Sequence, residues 1–246
     1  MKEIAGLLLG AGILLAGCTP MQVTDSDSRM EPRADSESLS NRCDQLQPDQ
    51  ALVVQLANDM VAQGRLHAAL AHLEQLPNTL PEVRLHKANI QRKLGDPRAE
   101  ALYESLLDGC LSAEAYHGMG QIAAARQDYV EALKSLQKAA RLAPANYRIR
   151  NDLGYVYLHL RKPDKARFEF LTAVELGVDD PMPLQNLLTL LIYEDHWKEA
   201  SALLKEKKVT PRQYQQAEER ARALDLEDRL NSGHYGESRS AGAGTE

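Results

Sequence analysis

Between Gln50 and Lys208 the chain repeats itself with a period near 34 residues. A period of that size means stacked copies of one small supersecondary unit, each of which can bury its apolar face only against its neighbours. The phase is clearest over Ala113–Asn146, which puts Tyr116 at position 4, Met119-Gly120 at 7 and 8, Ala132 at 20, Leu136 at 24, Ala139 at 27 and Pro144 at 32. The next unit, Tyr147–Asp180, places Leu153-Gly154, Tyr157, Ala166, Phe170 and Ala173 in the same register. A fifth, from Pro181, gives Leu187-Leu188, Leu191, Ala200 and Leu204. Upstream, Leu56-Ala57, Met60, Gly64, Ala69 and Leu73 mark a first unit, and Ala88, Ala99 and Tyr103 a second.

The spacing within a unit is that of two helices, A and B, joined by a turn. Position 8 lies where helix A crosses helix B and position 20 is the reciprocal contact, so both favour Gly or Ala. Position 8 carries Ala57, Ala88, Gly120 and Gly154, with Leu188 as the exception; position 20 is alanine in every unit. Leu188 predicts wider helix spacing in the last unit. Ala88 and Ala99 are 11 apart where 12 is normal, which predicts a tightened turn at Gly95-Asp96-Pro97. With only 2 Phe and 1 Trp, and Ala and Leu plentiful, the composition suits close-packed helices. These signatures resemble the tetratricopeptide family, and the resemblance implies an all-α fold: a right-handed α-solenoid of about five helix–turn–helix units. The expected units are 50–80, 81–112, 113–146, 147–180 and 181–208.

Beyond the repeats, Thr210-Pro211-Arg212-Gln213 reads as a helix start with Thr210 as N-cap and Gln213 closing a capping box. Tyr214, Ala217, Ala221 and Leu224 then form an apolar stripe, so 209–230 is expected to be a helix that caps the open end of the solenoid. Residues 231–246 read as a disordered tail.

The N-terminus reads as an address. Lys2 precedes an apolar and glycine run from Ile4 to Leu15, too short to span a bilayer and suited to a secretory signal. Leu15-Ala16-Gly17-Cys18 resembles the lipobox of bacterial lipoproteins. That resemblance implies removal of 1–17 and lipid attachment at Cys18, and Thr19 implies sorting to the outer membrane, on its periplasmic face. Residues 18–49 hold seven acids, three bases and prolines at 20, 32 and 48, the composition of a disordered tether.

No chemistry-bearing motif stands out. The seven histidines show no metal-ligand spacing, and there is no phosphate loop and no nucleophile elbow. No catalytic residue, metal ligand or cofactor is expected apart from the covalent lipid, and neither a nucleic acid nor a small-molecule substrate is implied. Trp197 is expected to pack, and His117 and His159 to stand solvated in the groove. Helix-A positions 2, 5, 9, 12 and 13 face the concave side of such a solenoid. In units four and five they supply Asn151, Tyr155, Leu158, His159, Met182, Gln185, Thr189, Ile192 and Tyr193, a tyrosine-bearing strip with few charges that is the candidate partner groove. The helix-A segment of unit five is apolar nearly all round, so either the C-terminal helix or a partner covers it. Val54 and Leu85 stand where a carboxylate-clamp domain carries lysine, which disfavours that mode although Asn58 and Asn89 occupy position 9. Cys43 and Cys110, expected at one edge of the solenoid, form a candidate disulfide in an oxidising compartment.

Lipobox, tether, five units and terminal helix together resemble the TadD-type lipoproteins of tight-adherence (Flp) pilus systems. The architecture is also similar to the pilotins of type IV pili. The resemblance implies a protein scaffold that serves an outer-membrane secretin. An adaptor that docks periplasmic hydrolases or proteases, and a member of an outer-membrane biogenesis complex, remain open.

Overall fold

The computed structural model of the protein describes residues 46–240 apart from Val178 and Lys208, with side chains as far as Asn231. The signal segment, Cys18, Cys43, most of the tether and residues 241–246 lie outside the described residues. Among the described residues every regular element is a helix. Eleven run in order: α1 Pro48–Ala62, α2 Leu66–Leu73, α3 Pro81–Leu94, α4 Arg98–Glu104, α5 Ser112–Ala125, α6 Tyr129–Leu142, α7 Tyr147–His159, α8 Pro163–Leu176, α9 Pro181–Tyr193, α10 Trp197–Glu206 and α11 Pro211–Ser240. The odd-numbered helices α1 to α9 are the A helices, each followed by its B helix, and α11 closes the stack.

Prolines at the first turn set the starts of α1, α3, α8 and α9, where the missing N–H costs nothing. Side-chain caps set others. Asp128 accepts from Glu131 N at 3.0 Å, Asn146 from Arg148 N at 3.1 Å and Asp180 from Met182 N at 2.9 Å. Thr210 and Gln213 close a reciprocal capping box at the start of α11, with N–H···O distances of 2.8 and 3.3 Å.

All five A-to-B turns have one design. The residue seven beyond position 8 is left-handed: Gly64 (φ 75°), Gly95 (72°), Gln127 (62°), Arg161 (54°) and Asp195 (58°). The following N–H reaches back to the carbonyl five residues earlier, as in Arg65 N to Met60 O at 2.8 Å and His196 N to Leu191 O at 2.8 Å. This is the Schellman closure of a helix. Unit two keeps the closure, and its missing residue falls between Gly95 and Ala99, where Asp96 receives the N–H of Arg98 at 2.9 Å. Its helix B is shortened to Arg98–Glu104, so Cys110 sits in the turn region after α4 and does not end it.

Packing follows the small residues. Ala57, Ala88, Ala69, Ala99, Ala132, Ala166 and Ala200 are all buried. A Cβ on Gly120 would stand 2.6 Å from Leu136 Cγ, and one on Gly154 2.7 Å from Phe170 Cδ1. Position 8 therefore makes room for the side chain at position 24. In unit two the position-24 ring, Tyr103, points onward instead, and a Cβ on Gly118 of the next unit would lie 2.2 Å from it. The Tyr103 hydroxyl donates to Asn89 Oδ1 at 2.7 Å, so that position-9 asparagine is engaged inside the fold. Where Leu188 replaces a small residue, α9 packs more closely on α8 and α11 than on its own partner α10. Trp197, expected to pack, is 50% exposed at the start of α10.

Ala217, Ala221 and Leu224 bury the stripe of α11 against the core of the last three units. The C-terminal helix is thus what covers α9. It continues to Ser240, past the Leu230 end expected from its apolar stripe.

Candidate partner-binding site

The A helices α3, α5, α7 and α9, with α11 across one side and Leu136 of α6 at the base, enclose a concave cavity of about 620 Å³. Asn151, Tyr155, Leu158, His159, Met182 and Thr189 line it. Gln185, Ile192 and Tyr193 do not. Gln185 is engaged by Gln216 of α11 at 3.0 Å, Ile192 is buried in the core, and Tyr193 donates to Asp228 of α11. The cap therefore occupies the far part of the strip that the repeat register assigns to a partner.

A polar ladder runs along the cavity wall. His117 Nε2 lies 2.7 Å from Asp152 Oδ2, and Asn186 Nδ2 donates to Asn151 Oδ1 at 2.8 Å. Each link joins position 5 of one unit to position 6 of the next. Gln121 Nε2 and Asn151 Nδ2 also donate to Asp152, at 2.7 and 3.1 Å, and Arg220 Nη1 of α11 touches Asn186 Oδ1 at 3.4 Å. Burial pushes the Asp152 carboxyl up, but the bonds from His117, Gln121 and Asn151 outweigh it and hold it below the usual carboxylate range.

His159 is not solvated either. Its ring stacks on Tyr129 with centroids 4.6 Å apart and an interplanar angle of 13°, and it contacts Tyr155 at 4.4 Å. Burial lowers its pKa and so favours the neutral ring. Burial, with Tyr155 adding to it, pushes the Tyr129 hydroxyl up to about 12.

Beside this cluster α11 is pinned by charge. Arg161 Nε reaches Asp228 Oδ1 at 2.6 Å and Arg161 Nη2 reaches Glu227 Oε2 at 3.1 Å. Tyr193 is pushed up to about 12, by burial first and then by Asp228. Burial raises the Asp228 carboxyl, but Tyr193 and Arg161 together bring it below its ordinary value.

The groove residues read from the repeat omit Gln121, Asp152 and Asn186 and the charged lining of Arg92, Arg220 and Glu227. The strip of units four and five supplies none of these three charges, which α3 and α11 bring in from outside those units. For Asp152 and Asn186 a signal existed: two polar residues one period apart at position 6, each between helical neighbours of the core. Among the described residues no three His, Cys, Asp or Glu side chains group as a metal site, and no helix is long and apolar enough to cross a membrane. Cys110 is disulfide-bonded; Cys18 and Cys43 lie outside the described residues.

A stack of helical hairpins with a concave, largely apolar cavity is a protein-interaction scaffold. Comparison with known proteins specifies which kind. The tetratricopeptide-repeat model matches residues 123–191. The TPR repeat-containing protein PA4299 of Pseudomonas aeruginosa is 40% identical over 223 residues, which span 91% of this chain and 86% of that protein. The chain belongs to the tetratricopeptide-repeat family. Among solved structures it is similar in fold to pilF of Pseudomonas aeruginosa (TM-score 0.55, 20% identity, 78% of this chain and 97% of that one). A tetratricopeptide protein of Thermus thermophilus gives a TM-score of 0.54 at 23% identity, covering 72% of this chain and 99% of that one. MamA of Desulfovibrio magneticus gives 0.51 at 21% identity, covering 67% and 96%.

Proposed function

We propose that the protein is a lipid-anchored periplasmic scaffold, fixed to the outer membrane through Cys18, that takes a segment of a protein partner into the concave cavity. The observation that carries this reading is the cavity itself, which the repeats wall with side chains from α3, α5, α7 and α9 and which the cap leaves open. Its lining is mainly apolar with a few fixed polar groups, the usual character of a recognition site. Such a lining suits the binding of a protein segment. The finer assignment is a pilotin-like assembly factor for the secretin of a tight-adherence pilus. It rests on the architectural resemblance to TadD-type lipoproteins and agrees with the fold shared with pilF.

Two measurements separate the parts of this proposal. Mass spectrometry of the mature N-terminus should find a diacylated or triacylated Cys18, and an unmodified or uncleaved Cys18 defeats the anchor. In a strain lacking the protein, secretin multimers should fall or leave the outer membrane. Unchanged multimers in an unchanged place defeat the pilotin role while leaving the scaffold intact.

A further inference from the structure

The charges that line the cavity are not equally engaged. Its two acids are both satisfied inside the molecule: Asp152 receives His117, Gln121 and Asn151, and Glu227 is paired with Arg161 at 3.1 Å. Its two guanidiniums have no ion-pair partner. Arg92 is hydrogen-bonded to the Tyr103 hydroxyl but forms no ion pair with any described residue, and its Nε is buried with no hydrogen-bond partner. Arg220, exposed on α11, makes one long contact of 3.4 Å to a neutral amide. His159 adds no charge, since burial favours its neutral form. The cavity's two cations without an ion-pair partner thus come from two elements, α3 and α11, that frame an apolar middle of Leu158, Met182 and Leu224.

We infer that the cavity selects a partner segment that is apolar and carries carboxylates, which Arg92 and Arg220 receive. The inference rests on the reading of this cavity as the partner site and adds the chemistry of the partner. A guanidinium suits a carboxylate because its planar fork offers two parallel N–H groups. A basic segment would meet two like charges that have no ion-pair partner of their own.

The test uses the full-length protein and a random-peptide phage library, panned in parallel on the native chain and on Arg220→Gln and Arg92→Gln. The peptides enriched on the native chain should be apolar with at least one acid, and synthetic copies should compete with one another. A charge-assisted hydrogen bond contributes enough that each arginine change should weaken binding about tenfold. Exchange of the peptide's acids for the matching amides should have a similar effect. Arg220 is exposed on its helix, so its variant reports on charge even if Arg92→Gln disturbs the fold. Competing peptides that are neutral or basic, or that bind Arg220→Gln and the native chain equally, overturn the charge inference and leave the groove reading standing. If nothing is enriched, both fail. Enrichment that appears only after the acidic stretch 19–45 is deleted assigns the guanidiniums to the chain's own tether and overturns the partner proposal.

Discussion

Gly154→Ala should destabilise the protein, and Phe170→Leu should reverse the sign of its effect. Gly154 sits inside α7 with an ordinary helical backbone, so alanine would normally help there by about 0.5–1 kcal/mol. The new Cβ, however, would stand 2.7 Å from Phe170 Cδ1, 2.7 Å from Cε1 and 3.1 Å from Cγ. These are atoms of a rigid ring that is fully buried, so the ring or the helix has to move. Overpacking of this kind costs about 1–3 kcal/mol, which outweighs propensity and leaves a net loss of about 1 kcal/mol. With leucine at 170 the obstruction becomes the end of a flexible chain, and the pair becomes that of unit one, where Ala57 and Leu73 share a core cluster. There Gly154→Ala should stabilise by about 0.5–1 kcal/mol, giving a coupling near 2 kcal/mol. Urea unfolding of the four proteins, followed by far-ultraviolet circular dichroism, measures this. With slopes of about 2–3 kcal/mol/M, each 1 kcal/mol moves the midpoint by roughly 0.3–0.5 M. A Gly154→Ala protein more stable than native in both backgrounds would refute the claim that position 8 exists to admit the position-24 ring.

Asp152→Asn should flatten the acid limb of stability: the native carboxyl titrates below its ordinary 3.8, so its contribution is present above that pH and is lost as pH falls through the lower folded value. Thermal melts from pH 7 to 3 should show native and variant converging below about pH 4, and parallel curves would contradict the pairing. Arg161→Ala removes both pins on α11, which are partly exposed and so contribute about 1 kcal/mol at most. Amide hydrogen exchange should then rise along 221–231 while α5 and α6 keep their protection; uniform change would deny a local anchor. Gln127→Gly should stabilise by up to about 1 kcal/mol, since Gln127 holds a left-handed φ of 62° that costs a side chain roughly 1–2 kcal/mol against the greater unfolded freedom of glycine; a loss in the urea midpoint would count against strain there. For the bond at Cys110 we propose Cys43 as partner, and alkylation without reductant should leave both unlabelled; label on Cys43 rejects that pairing.

The fold was legible because its constraint recurs. From Ala57 to Ala200 one steric demand recurs in every unit, and each helix pair follows from it without knowledge of the rest. The left-handed turn was less legible, since glycine marks it only at Gly64 and Gly95, while Gln127, Arg161 and Asp195 adopt the same φ under the force of the Schellman closure. The site was legible only in part. Concave positions follow from the register, so Tyr155, Leu158 and Met182 could be read along the chain. The bonds between units could not, because the ladder joins residues 35 apart, one more than the period, and a register that aligns like with like does not pair position 5 with position 6. Nor could the pattern show that His117 and His159 would be enclosed. Their neighbours Asp152 and Tyr129 arrive from adjacent units, and exposure in a solenoid is decided between units.

What most shapes the site is the element that does not repeat. A solenoid must end somewhere, and its last helix pair leaves an apolar face that something has to cover. Here α9 is apolar on nearly every side, so α11 is bound to dock on it whatever else the protein does. Docking on the concave side, where Ala217, Ala221 and Leu224 meet the core of the last three units, turns a stability requirement into a wall of the cavity. It withdraws Gln185, Ile192 and Tyr193 from any partner and supplies Arg220 and Glu227 in their place. Arg161 ties the two roles together: it holds the strained left-handed turn of unit four, where glycine would relax the backbone, and its side chain fixes Asp228 and Glu227. A glycine at that turn would gain backbone freedom and lose the clamp that sets where α11 stands. A residue that holds the repeat's left-handed turn without being glycine is therefore also the one that defines the edge of the groove.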